Sequence, residues 1–571
     1  MNMSLKSEPN RSREWFDTPE LYGWLRRAAF KAEGFSEDSY EGKPIIGICN
    51  TWSELTHCNS HLRDLAESVK IGVWQAGGFP MEFPVMSLGE YNMKPTTMLF
   101  RNLMSMDIEE SITANPLDGV VLLGGCDKTT PALLMGAASA DIPSILVTGG
   151  PQLKGNWKGE ELGSCTDCRR YEVELRAGTI DENDWAELQS CIVRSNGHCM
   201  TMGTASTMGT MGEALGMALP GNAAIPAVDS RRKQLAEQAG RQIVKNVDSE
   251  LTPSRIMDQK AFDNAIKCLH AIGGSTNAIV HLIAIAGRVG IDLSLERFDE
   301  LSKSTPFLLN LKPSGDYLME DFYYAGGVPA LMGRIKEILD LDNMTVTGRT
   351  LGENIDGHIV HNDDIIRPMD NPLDPEGGLA VLYGNIAPTG AIIKPTAASQ
   401  DLMVHKGKAI VFEDHEDLSK RIDAPDLEVS PQDILVMKNS GPIGGPGMPE
   451  WGFLPIPKKI LATGVRDMVR LSDARMSGTA FGTVVVHITP ESAGGGPLAA
   501  IQDGDMIEID VPNRKLNLMI TDDQLKERLN TDSSSGPEFK RGYKWLHAQH
   551  ILQADKGCDF DFLRAESLQN D

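Results

Sequence analysis

The stretch DGVVLLGG at residues 118–125 is a short apolar run that ends in two glycines. Two runs of the same kind flank it in the chain, PIIGIC at 44–49 and IPSILV at 142–147. Apolar residues recur at helical spacing over 62–73, and Pro95 is placed to open a second helix. Buried strands that alternate with helices across glycine turns are typical of a parallel sheet. The sequence therefore predicts an α/β fold, with a parallel sheet in its first part.

The pattern changes after about residue 370, where helical periodicity weakens. Five β-type runs follow, separated by glycine and proline turns, at 409–412, 433–437, 483–488, 506–511 and 515–520. Pro512 and Asn513, between the last two runs, predict a hairpin-like reversal. We expect an α/β domain over residues 1–370 and a β-barrel-like, swivelling domain over 371–571. The proline-rich segment 367–378 is the predicted linker, and 539–555 is the predicted helical tail.

Composition narrows the classes of function. The 571 residues include 54 Lys and Arg against 79 Asp and Glu, which gives a formal net charge of −25. Nucleic-acid phosphates attract basic clusters, and anionic membranes would repel so acidic a chain. The sequence has no apolar run near the ~18 residues that span a bilayer, and residues 1–15 show no secretory signal. We expect a cytoplasmic protein that binds neither nucleic acid nor membranes.

Nine cysteines are spread over the chain, an odd number that does not suit a disulfide framework. Cys165 and Cys168 form a C-x-x-C pair, but no second pair lies nearby to complete a zinc site, so ordinary thiols are the simpler interpretation. Cys58, Cys126 and Cys199 lie in turns, two of them where a parallel sheet binds ligands. Three thiolates can hold an iron–sulfur cluster and leave one iron open. The alternative is that each is a small buried hydrophobic residue.

Carboxylates lie near these thiols in the sequence. Asp127 and Lys128 follow Cys126 directly, Glu90 follows a glycine, and Glu450 follows the segment GGPGMP. Hard oxygen ligands suit Mg²⁺, although surface charge is the commoner role of a single acidic residue. Asp127 is the strongest of these candidates because it lies just past the end of a buried strand.

One serine also stands out. Ser477 precedes a glycine in DARMSGTAFG, where a tight turn can expose its hydroxyl, yet the G-x-S-x-G pattern of hydrolases is missing. On its own this position favours a role in the turn. The glycine clusters at 124–130 and 441–447 match neither the P-loop nor the dinucleotide fingerprint, so a nucleotide site is not indicated.

Six segments, taken together, resemble one known family. They are ELTHCNSH, GGCDKTTP, NGHCMTMGTASTMG, GGSTNAIVHLIAIAG, SGPIGGPGMPEWG and LSDARMSGTAFG. In this order they span most of the chain and are similar to the dihydroxy-acid and 6-phosphogluconate dehydratase family. SLGE at Glu90, the form of the serine motif and the tail at 547–563 resemble the sugar-acid (aldonate) branch, such as arabinonate, xylonate and gluconate dehydratases. His57 departs from the family, which often has proline before the first cluster cysteine.

The resemblance implies a role for each matched residue. Cys58, Cys126 and Cys199 would hold the cluster, [2Fe–2S] as in the sugar-acid branch or [4Fe–4S] as in other relatives. The implied Mg²⁺ ligands are Glu90, Asp127, Glu450 and a carboxylated Lys128. Ser477 would be the base, and the site would lie between the two domains of a homodimer or homotetramer.

The implied reaction removes water from a 2,3-dihydroxy sugar acid to give a 2-keto-3-deoxy acid. A serine acts as a base only as its alkoxide, which nearby positive charge or backbone donors must stabilise. Thr479 and Arg475, beside Ser477, favour a polar sugar-acid substrate over the apolar substrate of branched-chain dihydroxy-acid dehydratases. A non-catalytic iron–sulfur protein is a more distant alternative, since it would need the cysteines but not Glu90, Glu450 or Ser477.

Overall fold

A computed structural model describes residues 10–531 and 536–568. The first part of the chain forms a four-stranded parallel sheet in the order β2-β1-β3-β4. Its strands are β1 (Ile45–Asn50), β2 (Phe79–Pro84), β3 (Gly119–Gly124) and β4 (Ser144–Thr148), and a small antiparallel hairpin follows, β5 (Gly155–Trp157) with β6 (Glu160–Leu162). The parallel sheet confirms the α/β prediction for this part.

Helices fill the rest of the first part. They are α1 (Arg13–Phe16), α2 (Leu21–Ala32), α3 (Glu37–Tyr40), α4 (Leu62–Gln75), α5 (Arg101–Thr113), α6 (Thr129–Ala140), α7 (Thr166–Ala177), α8 (Glu182–Ile192), α9 (Thr204–Ala214), α10 (Ser230–Asp248), α11 (Pro253–Ile256), α12 (Gln259–Ala271), α13 (Asn277–Arg288), α14 (Leu295–Ser304), α15 (Met319–Tyr324), α16 (Gly327–Arg334) and α17 (Leu351–Ile355). The apolar residues at helical spacing form α4, which packs on β1 and on α10. Where α4 crosses α10, a Cβ at Gly72 would lie 1.9 Å from the Glu237 carbonyl oxygen, so only glycine fits there.

The second part forms one mixed sheet of eight strands. They are β7 (Ala380–Leu382), β8 (Gly390–Ile393), β9 (Val404–Phe412), β10 (Ile434–Met437), β11 (Arg470–Ser472), β12 (Val484–Thr489), β13 (Met506–Asp510) and β14 (Lys515–Leu518). Their order is β14-β13-β9-β10-β11-β12-β8-β7. Just past β7, the Tyr383 amide donates to the Arg514 carbonyl and the Leu516 amide donates to the Tyr383 carbonyl, both at 2.9 Å. These bonds join the two edge strands and nearly close the barrel, as predicted.

Four helices accompany the barrel: α18 (His415–Arg421), α19 (Lys458–Leu461), α20 (Asp522–Thr531) and α21 (Gly542–His550). The segment that follows α21 returns to the first part of the chain. Asp559 forms a buried two-pronged ion pair with Arg288 on α13, at 2.6 and 3.0 Å, and the Cys558 carbonyl accepts from Arg101 at 2.7 Å. The described residues include no helix that is long and apolar enough to cross a membrane.

Candidate functional site

The predicted site residues come from loops at the ends of strands. Cys58 lies in a short 3₁₀ turn beyond β1, and Cys126 is the second residue after β3. Cys199 lies in the loop before α9, while Glu450 and Ser477 come from turns of the second part, on either side of β11. The structure brings them together around one cavity of about 260 Å³. Among the residues that line it are Cys58, Cys126, Cys199, Glu90, Asp127, Glu450, Ser477 and Thr479.

The thiols in this cavity form two pairs. Cys58 and Cys126 are hydrogen-bonded to each other, which together with burial raises the pKa of the Cys58 thiol. The Cys199 Sγ lies 3.6 Å from the Sγ of Cys165, and the hydrogen bond between them lowers the pKa of Cys199. The Tyr91 hydroxyl contacts this second pair, 2.8 Å from Cys165 and 3.6 Å from Cys199. Four thiols therefore meet in a cavity where the sequence predicted three.

The three predicted acidic ligands surround Lys128. One carboxylate oxygen from each of Glu90, Asp127 and Glu450 lies within 4.8 Å of the others. The Lys128 Nζ is fully buried among them, 3.4 Å from Glu90, 3.5 Å from Asp127 and 2.9 Å from Glu450. This is the chemistry of a hard-cation site, because clustered carboxylates need a positive charge at their centre.

Two further side chains hold Glu450. The Arg475 guanidinium, fully buried, donates to Glu450 Oε1 at 3.0 Å, and the Asn277 amide donates to the same oxygen at 3.0 Å. Burial raises the pKa of Glu450, but the charges of Lys128 and Arg475 outweigh it and bring the value to about 2. Burial also raises the pKa of Asp127, which rises to about 6. Arg475 does not line the cavity, since its other bonds go to the Met448 carbonyl and to Thr96.

Ser477 has one close polar neighbour. Its Oγ lies 2.8 Å from the Thr479 hydroxyl, and the Thr479 amide points to the same oxygen at 3.4 Å. Thr479 is fixed from the first part of the chain, because the Thr166 hydroxyl donates to its carbonyl at 3.0 Å. Gly478 allows this turn, since a Cβ there would lie 2.6 Å from the Ser275 hydroxyl. Ser477 thus lies at the cavity wall, and the residue is 8 % exposed.

Several cavity residues were not expected from the sequence. Cys165 and Arg169 line the cavity from α7 and its N-terminal edge, and Lys94 and Trp451 line it as well. The C-x-x-C pattern was the one available signal for Cys165, and nothing in the sequence marked Arg169 or Lys94. His57 lies next to this group: its Nε2 is 3.6 Å from the Cys58 Sγ and 3.1 Å from the Gln152 amide nitrogen, and burial lowers the pKa of the ring.

The donor sets fit the two groups that the resemblance implies. Thiols in two adjacent pairs are suitable ligands for an iron–sulfur cluster. A cage of three carboxylates is suitable for Mg²⁺. The two sets adjoin, because Asp127 belongs to the cage and its neighbour Cys126 belongs to the thiols.

Comparison with known proteins agrees with this geometry. The sequence profile of the dihydroxy-acid/6-phosphogluconate dehydratase N-terminal domain matches residues 43–354, and that of the C-terminal domain matches residues 364–558. The chain is 52% identical to an L-arabinonate dehydratase of Rhizobium leguminosarum, over 97% of this chain and 96% of the relative. It is 51% identical to an L-arabonate dehydratase of Azospirillum brasilense, over 98% of both chains. It is 47% identical to a 6-deoxy-6-sulfo-D-gluconate dehydratase of Pseudomonas putida, over 98% of this chain and 97% of the relative. The chain therefore belongs to the dihydroxy-acid/6-phosphogluconate dehydratase family and is a hydro-lyase.

Proposed function

We propose that this protein dehydrates an aldonate, a 2,3-dihydroxy sugar acid, to a 2-keto-3-deoxy acid. The observation that carries the proposal is the single cavity in which four thiols, three carboxylates and Ser477 meet. The cavity has a volume of about 260 Å³, slightly below the ~300–1,000 Å³ of pockets that bind drug-sized ligands. A cavity of this size suits a small substrate. The names of the close relatives support the same substrate class.

Cys58, Cys126 and Cys199 are the proposed cluster ligands, with [2Fe–2S] favoured over [4Fe–4S] because the thiols lie in pairs. Glu90, Asp127 and Glu450 are the proposed Mg²⁺ ligands. When bound, the two groups would supply Lewis-acid chemistry at the C3 hydroxyl and at the substrate carboxylate. Side chains that line the cavity would carry out the remaining steps.

Lys128 is proposed to join the magnesium ligands as a carboxylated lysine. Burial and Arg475 lower the pKa of Lys128, but the carboxylates around it outweigh them and raise the pKa above its ordinary value. Lys128 then supplies the positive charge that the cage needs. To be carboxylated, the Lys128 ammonium would lose a proton to solvent, and the free amine would then add to carbon dioxide and release a second proton, which gives a carbamate that could join Glu90, Asp127 and Glu450 as a ligand. We expect bicarbonate and Mg²⁺ to activate the protein together more than either does alone.

Ser477 is the proposed base that takes the C2 proton. Its alkoxide would accept hydrogen bonds from the Thr479 hydroxyl and the Thr479 amide, which lie 2.8 and 3.4 Å away. A hydrogen bond to the charged form favours that form, so this turn supplies the stabilisation that the sequence alone did not reveal. The C2 proton and the C3 hydroxyl leave as water, and the enol product tautomerises to the keto acid.

The cavity wall favours a sugar acid over a branched-chain acid. Tyr91, Thr96, Thr204 and Thr479 line it together with the charged residue Arg169. A lining rich in polar side chains suits a substrate that forms hydrogen bonds along its length better than one with an apolar tail. Arg169 is the proposed partner of the substrate carboxylate or of a distal hydroxyl.

The exposed apolar face of helix α2 is the feature that bears on assembly. Helix α2 exposes Leu21, Tyr22, Trp24 and Leu25, each at least 44% accessible, and monomers rarely leave such apolar patches open. We propose that a second copy of the chain covers this face in a homodimer or homotetramer, measurable by light scattering. All nine cysteines are free thiols, which suits the reducing cytoplasm.

The test is a substrate panel on anaerobically purified, iron-loaded protein with Mg²⁺. The panel contains C4 to C6 aldonates of both configurations and 2,3-dihydroxyisovalerate, with 2-keto acid formation as the readout. We expect turnover of aldonates and little of dihydroxyisovalerate. Dihydroxyisovalerate as the best substrate would move the protein to branched-chain chemistry. No keto acid from any member, with iron and Mg²⁺ bound, would favour a non-catalytic iron–sulfur protein.

A matched pair of variants links turnover to the cavity. Ser477→Ala should lose about 10²–10⁴-fold in rate, the usual contribution of general base catalysis, with iron content unchanged. Ser399→Ala, whose hydroxyl binds Asp467 outside the cavity, should retain the rate. Equal rates in the two variants would contradict the assignment of Ser477.

A further inference from the structure

Cys165 is a fourth thiol in the cavity, beyond the three predicted cluster ligands. It lies at the edge of α7, half-buried, with its Sγ in contact with Cys199 and with the Tyr91 hydroxyl. Its C-x-x-C partner Cys168 does not share this position, because the Cys168 Sγ accepts from the Cys165 backbone amide at 3.3 Å. Cys165 therefore differs from its sequence neighbour Cys168 because it lines the cavity that also contains the predicted cluster ligands.

The Cys165–Cys199 distance suits two ligands of one metal ion. Thiolates about 2.3 Å from a tetrahedral metal ion lie roughly 3.8 Å apart, and the two sulfurs here are 3.6 Å apart. Cys58 and Cys126 line the same cavity and interact with each other. Two such pairs are the arrangement of a four-cysteine [2Fe–2S] site, with one pair on each iron.

The backbone of Cys165 gives an independent indication. Its φ of +68° and ψ of −42° lie in a strained region that side-chain-bearing residues rarely adopt. Such strain costs about 1–3 kcal/mol and is found mainly at functional sites. Glycine would satisfy this turn without strain. The strained backbone therefore indicates that the cysteine side chain has a role beyond forming the turn.

We propose that Cys165 is a fourth cysteine ligand of the cluster when no substrate is bound, sharing an iron with Cys199. On binding, the Cys165 thiol loses its proton to solvent, and the Tyr91 hydroxyl, 2.8 Å away, donates to the thiolate. No electron is transferred. A substrate would have to displace this thiolate, which would then recover a proton. This inference rests on the proposed iron–sulfur site but not on the aldonate substrate.

The test compares anaerobically reconstituted wild type, Cys165→Ser and Cys165→Gly without substrate. ⁵⁷Fe Mössbauer spectra of the wild type should show both irons with sulfur ligands only. In both variants, one of the two iron signals should change to that of a site with fewer sulfur ligands, at unchanged iron content. Cys165→Gly guards against misfolding, because glycine suits the positive φ. Cys191→Ser, a half-buried cysteine of α8 outside the cavity, is the control and should match the wild type.

Thiol alkylation gives a second readout on the wild type. Cluster loading should slow alkylation of Cys165 about tenfold or more, because a coordinated thiolate is not free to react. Cys191 should react at the same rate in both states. Identical Mössbauer spectra in wild type and Cys165→Ser would overturn the inference, as would unchanged alkylation of Cys165 or a Cys165–Cys199 disulfide in the loaded protein. Spectra that respond to Cys165 in a protein inactive on every aldonate would refute the proposed substrate and leave this inference intact.

Discussion

Thr479→Val removes one hydroxyl and keeps the shape of the side chain. The hydroxyl lies 2.8 Å from the Ser477 Oγ, and Thr479 is 3% exposed. The backbone contacts of Thr479 remain, because the Thr166 hydroxyl donates to its carbonyl and the Thr479 amide points to Ser477. The substitution therefore tests whether this hydroxyl stabilises the proposed base, with little change in the turn that holds it.

The size of the effect follows from the charge that Ser477 carries. A hydrogen bond to a charged group contributes ~1.5–3 kcal/mol, and one between neutral groups ~0.5–1.5 kcal/mol. If Ser477 is neutral at rest and must lose its own proton to become the alkoxide base, the loss specific to the reaction is about 1–2 kcal/mol. That difference lowers kcat by about 5–30-fold, and KM should change little because the substrate is bound before the charge forms.

The assay is steady-state turnover of the best aldonate at saturating Mg²⁺, with iron content measured for each preparation. Thr463→Val is the control, because Thr463 lies in the same part of the chain, is exposed, and its hydroxyl donates to the Ile460 carbonyl at 2.7 Å. A kcat equal to that of the wild type in Thr479→Val would refute the role of Thr479. A large rise in KM with unchanged kcat would instead make Thr479 a substrate-binding residue.

Two further predictions concern charge. Arg169→Gln should raise KM for the aldonate by about 10–100-fold, because a charge-assisted hydrogen bond to the substrate is lost. Arg170→Gln is the control and should leave KM unchanged, because the Arg170 guanidinium pairs with Glu160 and Asp167. Equal KM values in the two variants would contradict a role of Arg169 in substrate binding. Burial raises the pKa of Glu213 to about 7, so between pH 4.5 and 7 the folded protein keeps a proton there that the unfolded chain loses. Lowering the pH from 8 to 5.5 should therefore stabilise the wild type by about 2 kcal/mol relative to Glu213→Gln, measured by thermal unfolding, and parallel curves would contradict it.

The sequence predicted the strands that are continuous apolar runs. β1, β3 and β4 are fully buried, so their residues are uniformly apolar and the runs stand out. β2 (FPMEFP) was not predicted, because it is an edge strand that is partly exposed and contains two prolines. In the barrel, the longer β9 and β13 were predicted, whereas β7 and β11, each of three residues, are too short to show a pattern.

Helix boundaries were predicted less well. A helix was expected to open at Pro95, but a 3₁₀ turn comes first and α5 begins at Arg101. The tail was expected to be helical over 539–555, and α21 covers only Gly542–His550. After that point the chain turns back to pair with Arg288 and Arg101, and these tertiary bonds end the helix where local pattern alone would continue it.

The sequence predicted a set of candidate site residues but not how they contact one another. The resemblance supplied the cysteines, the carboxylates and Ser477, which the structure gathers in one cavity. The sequence favours an ordinary thiol at Cys165 because no second C-x-x-C pair lies nearby, whereas in the structure its Sγ contacts Cys199, 34 residues away. The pairing depends on how α7 packs beside the loop before α9, and no periodicity in the sequence encodes that arrangement.

The most direct test of the central claim is a proton NMR experiment in D₂O with the iron-loaded protein, Mg²⁺ and the best aldonate. We expect a 2-keto-3-deoxy acid with one deuterium at C3, because the enol takes that hydrogen from solvent, and almost no product from Ser477→Ala. An unchanged aldonate in the wild type, or equal product from both proteins, would contradict the claim that this cavity dehydrates sugar acids.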